Sequence, residues 1–477
     1  MVGHCLTARK LIALVSAFIV ACPDKLQGKI NFVTITAGKF SVVSAATVAP
    51  AYAIAIEDMS KRYPDIFANH TVIPINVALN FNPGTPDGDW LVVEELVKAY
   101  GAGVLQSTDP TIILNSKDNI LTLSCGPSKP NPRRYPTNMI VFPGSPFDTG
   151  AAVVATMDTF HWKSVAVIWD LCSSLVNAAR VEGILRGLLP LLEKRSLDIN
   201  ALVIKMDSTK DAVPFAYYDA LWRAGNHSRI VVCGILPRGF RKLMAAAYDI
   251  GFTSDNEYVF IYEHILDIPG EHPPEWKQGD NLDLKVRKAF ERVLVIRSQP
   301  INWTHADTLA ERIVQRGSAM FGIPYDPENK FNEIALGCYE SVELLSELIN
   351  RNNLTGQLSD PSAVMQHLKG QTFPLTLRSV TFGPTSARPP VIVLQKFNSS
   401  MATFQTISDF DIFSQVWFSN LMHGQLWQPG MIPLDRPVCG IHGERCAAKT
   451  SQSTTTIAAV VSIFSAVLAT FPLFLYW

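Results

Sequence analysis

Few residues in this sequence are grouped as chemistry would require. His264 and His272 flank a loop and could be imagined as metal ligands, yet no cysteine or second carboxylate cluster stands near them at ligand spacing. Both therefore read as surface histidines. Asp409 and Asp411, in the run SDFDIF, could be drawn as an acid pair. Because Asp readily hydrogen-bonds its own backbone, they read instead as turn and strand-edge residues. There is no phosphate loop of the G-x-x-x-x-G-K-S/T kind, no G-x-S-x-G elbow and no H-E-x-x-H pair. No activated nucleophile, metal centre or cofactor is expected, and hence no enzyme. Binding is the function class that remains.

The ends of the chain say where such binding would take place. In residues 1–22, Arg9 and Lys10 precede the apolar run LIALVSAFIVA, with Ala21 or Cys22 as the small residue at a cleavage point. That pattern is a secretory signal peptide. The box Ile19-Val20-Ala21-Cys22 also fits a lipoprotein cleavage site, which keeps a lipidated periplasmic protein open. Residues 457–477 carry no charge, and as a helix they would reach roughly 30 Å, the thickness of a bilayer core. They read as a C-terminal transmembrane helix. Ala447 and Ala448, a polar spacer and an apolar tail also fit a GPI-anchor signal. Between this tail and the rest, residues 427–456 form a collar in which Pro429, Pro433 and Pro437 break regular structure.

Net charge is −1 over 477 residues with no basic stripe, so nucleic acid is not an expected partner. In an oxidising compartment some of Cys125, Cys172, Cys233, Cys338, Cys439 and Cys446 should pair. Asn69, Asn226, Asn302, Asn353 and Asn398 each begin a glycosylation sequon. The expected location is the plasma membrane, with the binding region outside the cell.

Across residues 29–426 short apolar runs alternate with longer helical segments, as in INFVTIT, then 44–63, and later SVAVIWD, INALVIKM, RIVVCGI and EYVFIY. Strands of this kind separated by helices, including helices at 88–103 and 178–194, imply parallel βαβ units. The fold class is α/β, two-lobed, with parallel sheets flanked by helices. One lobe would comprise about 29–143 and 285–375, the other 144–282 and 376–426, with strands at 376–382 and 391–397 able to return to either. The Pro- and Gly-rich loop 269–281 is of the kind that passes between lobes. Phe331, Ile334, Ala335, Cys338, Val342, Leu345 and Ile349 mark one face of a helix, with Glu340, Glu343 and Glu347 on the other. Cys338 reads as a buried core thiol. In open α/β sheets, ligands sit beyond the carboxyl ends of strands. That rule selects Lys39, Phe40, Ser41, Ser145, Asp148 and Asp170 as candidate ligand contacts.

The collar carries a resemblance. Trp427, the run Ile432-Pro433-Leu434-Asp435-Arg436-Pro437-Val438-Cys439-Gly440, and Cys446 are similar to the juxtamembrane W…P…D-x-P-x-C-G…C motif of receptor guanylate cyclases, the group that includes natriuretic peptide receptors. Arg238 to Ile261, Pro274-Glu275-Trp276 with Gly279-Asp280, and Phe160-His161-Trp162 resemble further segments of that family's ligand-binding ectodomain. The resemblance implies a type I periplasmic-binding-protein fold (a Venus flytrap), an extracellular peptide or small-molecule ligand, a homodimer and membrane anchorage. It also implies two disulfides, Cys439–Cys446 and Cys172–Cys233. The family's G-P-x-C loop and an earlier cysteine, which together help form a chloride site, have no counterpart here. No chloride is therefore carried over, and Cys125 and Cys338 receive no assigned partner. The kinase-homology and cyclase regions have no counterpart either, so the expectation is a truncated receptor, a short-tailed clearance-type receptor or a GPI-anchored ectodomain. The same fold also serves amino-acid-binding ectodomains of the glutamate or GABA type, which lack the collar, and periplasmic solute-binding lipoproteins.

Overall fold

The computed structural model describes residues 30–37, 45–68, 70–77, 111–114, 121–125, 137–142, 146–170, 187–207, 215–264, 266–269, 274–322, 324–383, 388–418, 427, 432–442 and 444–446. Two sheets organise them. The first has five strands in the order β2-β1-β3-β4-β5: β1 (Ile30–Ala37), β2 (His70–Val77), β3 (Thr111–Leu114), β4 (Thr122–Ser124) and β5 (Asn138–Ile140). All of its pairings are parallel. The second has eight strands in the order β15-β14-β13-β10-β9-β8-β6-β7. Its parallel part is β6 (Ser164–Asp170), β7 (Asn200–Met206), β8 (Ile230–Gly234), β9 (Val259–His264) and β10 (Val293–Ser298). An antiparallel extension follows: β13 (Ile392–Asn398), β14 (Thr403–Asp411) and β15 (Val416–Trp417). A hairpin of β11 (Thr372–Pro374) and β12 (Ser379–Thr381) stands apart from both sheets.

The helices are α1 (Ala45–Arg62), α2 (Pro64–Phe67), α3 (Pro146–Thr159), α4 (Leu189–Lys194), α5 (Phe215–Gly225), α6 (Pro237–Asp249), α7 (Asp283–Ala289), α8 (Trp303–Phe321), α9 (Glu333–Asn352) and α10 (Pro361–Gln366). The helix expected at 88–103 lies outside the described residues, and of the one expected at 178–194 the described part is α4. Residues 1–22 and 457–477 also lie outside. Among the described residues no helix is long and apolar enough to cross a membrane.

Strand β6 shows why the second lobe forms. Each residue of SVAVIWD is buried, because helices cover both faces of the sheet. Its side chains divide between two cores: Val165, Val167 and Trp169 face one, while Ala166 and Ile168 face the other. Each fully buried Val or Ile of this kind contributes about 1.5 to 3 kcal/mol.

The first core gathers Phe32 of β1, Tyr52 of α1, Leu123 of β4, Ile313 of α8 and Leu345 of α9. Helix α9 runs through its middle. It starts at Asn332, whose side chain caps Ile334 and Ala335, and stops at Asn353 in a left-handed conformation. The acidic face is covered as well: every residue from Glu333 to Ile349 is buried. Long-range partners make that burial tolerable. Arg378 clasps Glu340, and Arg62 reaches Glu343 at 3.1 Å and Glu347 at 3.0 Å. Tyr63 donates to Glu347 as well, and Thr376 to Glu343.

The expectations about Cys338 and the lobe boundaries need correction. Cys338 is not a free core thiol; it forms a disulfide with Cys125 at the end of β4. Gly337 permits that approach, since a Cβ there would lie 2.6 Å from the Cys125 carbonyl oxygen. The expected pairing of Cys172 with Cys233 falls on a residue outside the described ones, Cys172; Cys233 itself is a buried thiol packed between β8 and its covering helices. The boundary expected near 285 falls later. Strand β10 belongs to the eight-stranded sheet and α7 packs on its core, so the chain crosses to the first lobe at 299–302. The return comes at 383–391, because Phe373, Val380 and Phe382 of the β11–β12 hairpin lie in the first core while β13 joins the second sheet. The loop 274–282 stays on the second lobe: Trp276 donates to the Ala402 carbonyl at 2.8 Å and Arg241 binds Asp280 and Asp283.

Candidate ligand cleft and interlobe latch

The carboxyl ends of β6, β8, β9 and β10 bring Asp170, Gly234, His264 and Ser298 to one edge of the second sheet. Of the six candidate contacts, Lys39, Phe40, Ser41 and Ser145 lie outside the described residues. Asp148 is half-buried in the first turn of α3. Asp170 is fully buried, with its Oδ2 only 3.8 Å from where a Cβ on Gly239 would stand, in the first turn of α6. Leu236, which precedes α6, supplies no side-chain cap, so a carboxylate facing that end is favourably placed.

A denser polar cluster joins the lobes. Asp267, just beyond β9, accepts from His264 Nε2 at 2.7 Å, from Arg297 Nη2 at 3.1 Å and from Trp303 Nε1 at 2.9 Å. Its backbone N–H donates to Glu333 Oε2 at 3.1 Å, and the Glu333 N–H donates to the Asp267 carbonyl at 3.0 Å. Ile268, the next residue, is part of the first core although it follows a strand of the second sheet. The crossing segments are bonded side by side: Gln299 N–H donates to the Val391 carbonyl at 2.9 Å, and Arg388 Nη1 to the Val141 carbonyl.

Charge is arranged strictly within this cluster. Burial pushes the Asp267 carboxyl up, but Arg297 together with the His264 and Trp303 bonds overcomes it and holds the group below the usual carboxylate range. Glu333 goes the other way: burial, and then the charge on Asp267, push it up to about 8. Its second oxygen, Oε1, has no hydrogen-bond partner among the described residues, as suits a carboxyl held neutral. Burial, then the neighbouring Arg378, lowers Arg388 to about 9.

Sequence reasoning placed His264 at the surface, and this is corrected: the ring is fully buried. It missed Asp267, Arg297, Trp303 and Glu333 altogether. The one local signal was Arg297, a charge closing the apolar run VLVI. His272 lies outside the described residues. Among the described residues, no group of three or more His, Cys, Asp and Glu is placed to hold a metal ion.

The collar docks at the opposite edge of the second sheet. Asp435 Oδ2 accepts from the backbone N–H groups of Lys163 and Ser164, each at 2.7 Å, where β6 begins. The Asp435 carbonyl accepts from Arg229 N–H at 2.8 Å, just before β8, and Trp162 Nε1 donates to the Pro433 carbonyl at 2.8 Å. Trp427 meets Phe160 edge-on, with Lys396 Nζ 4.7 Å from its ring centre. Cys439 and Cys446 are joined by a disulfide, as the resemblance implied.

These features coincide with a family assignment. Residues 119–389, more than half of the chain, match the family described as the receptor family ligand binding region, and the chain belongs to that family. A search of curated proteins returns no match.

Proposed function

We propose that this chain is the extracellular ligand-binding region of a receptor related to the receptor guanylate cyclases, held at the plasma membrane through its C-terminal segment. Family membership supports the receptor reading, since such regions bind extracellular ligands. The single observation behind the narrower reading is the collar: Asp435 of the D-x-P-x-C-G motif ties the juxtamembrane segment to the start of β6. A ligand, peptide or small molecule, binds between the lobes or across a homodimer. Lys39, Phe40, Ser41, Ser145, Asp148 and Asp170 are the proposed contacts. Differential affinity for two lobe or dimer arrangements then moves the paired collars. Residues 457–477 serve as the anchor, either as a membrane helix or as a GPI signal.

Surface expression of tagged full-length chain, with and without phosphatidylinositol-specific phospholipase, tests the proposal when combined with non-reducing peptide mapping. Surface protein with an oxidised Cys439–Cys446 pair is expected, and release by the enzyme distinguishes the two anchors. Cytosolic protein with both cysteines freely alkylated overturns the reading. Lipid on Cys22 transfers the case to a periplasmic solute-binding lipoprotein.

A further inference from the structure

Helix α5 carries two large aromatic side chains that its packing does not use. Phe215 is 70% exposed and Trp222 is 66% exposed. They stand seven residues apart, so they lie on one side of the helix, separated by roughly 10 Å along the axis. Exposed Asp219, 3.8 Å from Arg223, stands between them, so Trp222 is an open apolar spot by itself that a covering partner would bury. One is built into the chain. Asn226 is exposed, and its backbone N–H donates to the Trp222 carbonyl at 3.1 Å, continuing the helical turn. Residues four apart on a helix are neighbours on one face, so the Asn226 side chain rises beside the indole. Asn226-His227-Ser228 is a sequon.

We infer that a glycan on Asn226 lies along α5 and covers Trp222, with its outer sugars reaching toward Phe215. The weakly positive C–H face of a pyranose suits the negative face of an indole. The inference rests on the extracellular reading, because the sugar is added only to a secreted chain. The other described sequon residues sit in different settings. Asn302 accepts from His305 N–H as a helix cap, Asn398 accepts from Ser400 and Met401 in a turn, and Asn353 is a left-handed helix end. The acceptor hydroxyl adds a timing constraint. Ser228 is buried, with its Oγ donating to the Ser164 carbonyl at 2.8 Å, so attachment precedes the docking of β8 beside β6.

The test expresses the full chain in a eukaryotic secretory host and maps glycopeptides at Asn226, Asn302, Asn353 and Asn398. Binding of a hydrophobic dye and sedimentation are compared for wild type, N226Q, W222A and the double variant. Trp222 is exposed, so its removal leaves the core intact. The expected result is an occupied Asn226 whose sugars are less processed than those at the other sites and become processed in W222A. N226Q should raise dye fluorescence about two-fold, and the double variant should abolish the rise. A bare Asn226 beside occupied neighbours overturns the inference and leaves the extracellular reading standing. An occupied Asn226 whose loss leaves dye binding unchanged also overturns it, as do wild-type dimers that W222A dissolves. Four bare sites would overturn the extracellular reading and this inference together.

Discussion

Asp267 and Glu333 each donate a backbone N–H to the other: to a Glu333 carboxyl oxygen in one direction and to the Asp267 carbonyl in the other. A loop leaving the second sheet and the first turn of a helix in the first lobe are thereby bonded twice, without water between them. The two carboxyl groups are nonetheless shifted in opposite directions, Asp267 down and Glu333 up.

That opposition gives a pH prediction. Glu333 has its folded value pushed up to about 8, above its ordinary 4.5, by burial first and Asp267 second, against Arg297 and Arg378. Between those two values the unfolded chain has released a proton that the folded chain keeps, so stability falls as pH rises through this window. Asp267 is lowered, so its contribution is present above 3.8 and is lost only in stronger acid. Glu333→Gln should flatten the decline in stability between about pH 5 and 8. Denaturant midpoints across that range measure it, and an unchanged slope would exclude a neutral Glu333.

The two disulfides close loops of very different length. Cys125 and Cys338 are 213 residues apart, Cys439 and Cys446 only 7. By the loop-entropy argument the first stabilises by about 5 kcal/mol and the second by about 2. Paired serine substitutions should therefore lower the denaturation midpoint far more at 125/338 than at 439/446. Equal losses would contradict the entropic account.

Asp435 is the clasp of the collar. Asp435→Ala removes two hydrogen bonds to a carboxylate, each worth about 1.5 to 3 kcal/mol, and should cost about 3 kcal/mol or more of local stability. Faster amide exchange at Lys163, Ser164 and Arg229 is expected, with earlier proteolysis near Arg436. The global denaturation midpoint should move little.

Two glycines mark close approaches. A Cβ on Gly337 would meet the Cys125 carbonyl oxygen at 2.6 Å, and one on Gly317 the Ala46 carbonyl oxygen, also at 2.6 Å, where α8 crosses α1. Gly337→Ala and Gly317→Ala should each destabilise by about 1 to 3 kcal/mol. Gly356 has nothing within 4 Å of that position, so Gly356→Ala should be neutral or stabilising by about 0.5 kcal/mol. Thermal unfolding of the three variants provides the comparison.

What could be read from the chain beforehand follows a physical rule. Runs such as SVAVIWD announce a doubly covered strand, because burial on both faces leaves no polar alternation. The apolar period of α9 was equally visible. The burial of its glutamates was not, because their partners Arg62, Tyr63 and Arg378 lie far away in sequence and leave no local trace. The latch left no trace for the same reason, being assembled from His264, Asp267, Arg297, Trp303 and Glu333. Cys125 and Cys338 had no spacing to reveal them, whereas the collar could be recognised because its whole motif is contiguous.

The grip of Asp435 at the amino edge of the second sheet has a mechanical corollary. Its bonds, and those of Trp162 to Pro433, go to the second lobe, so that lobe and the strap leading to the C-terminus travel as one rigid piece. A few degrees of swing about the crossing segments at the carboxyl edge would be magnified at the far end, as at the tip of a lever whose fulcrum lies beside the proposed ligand contacts.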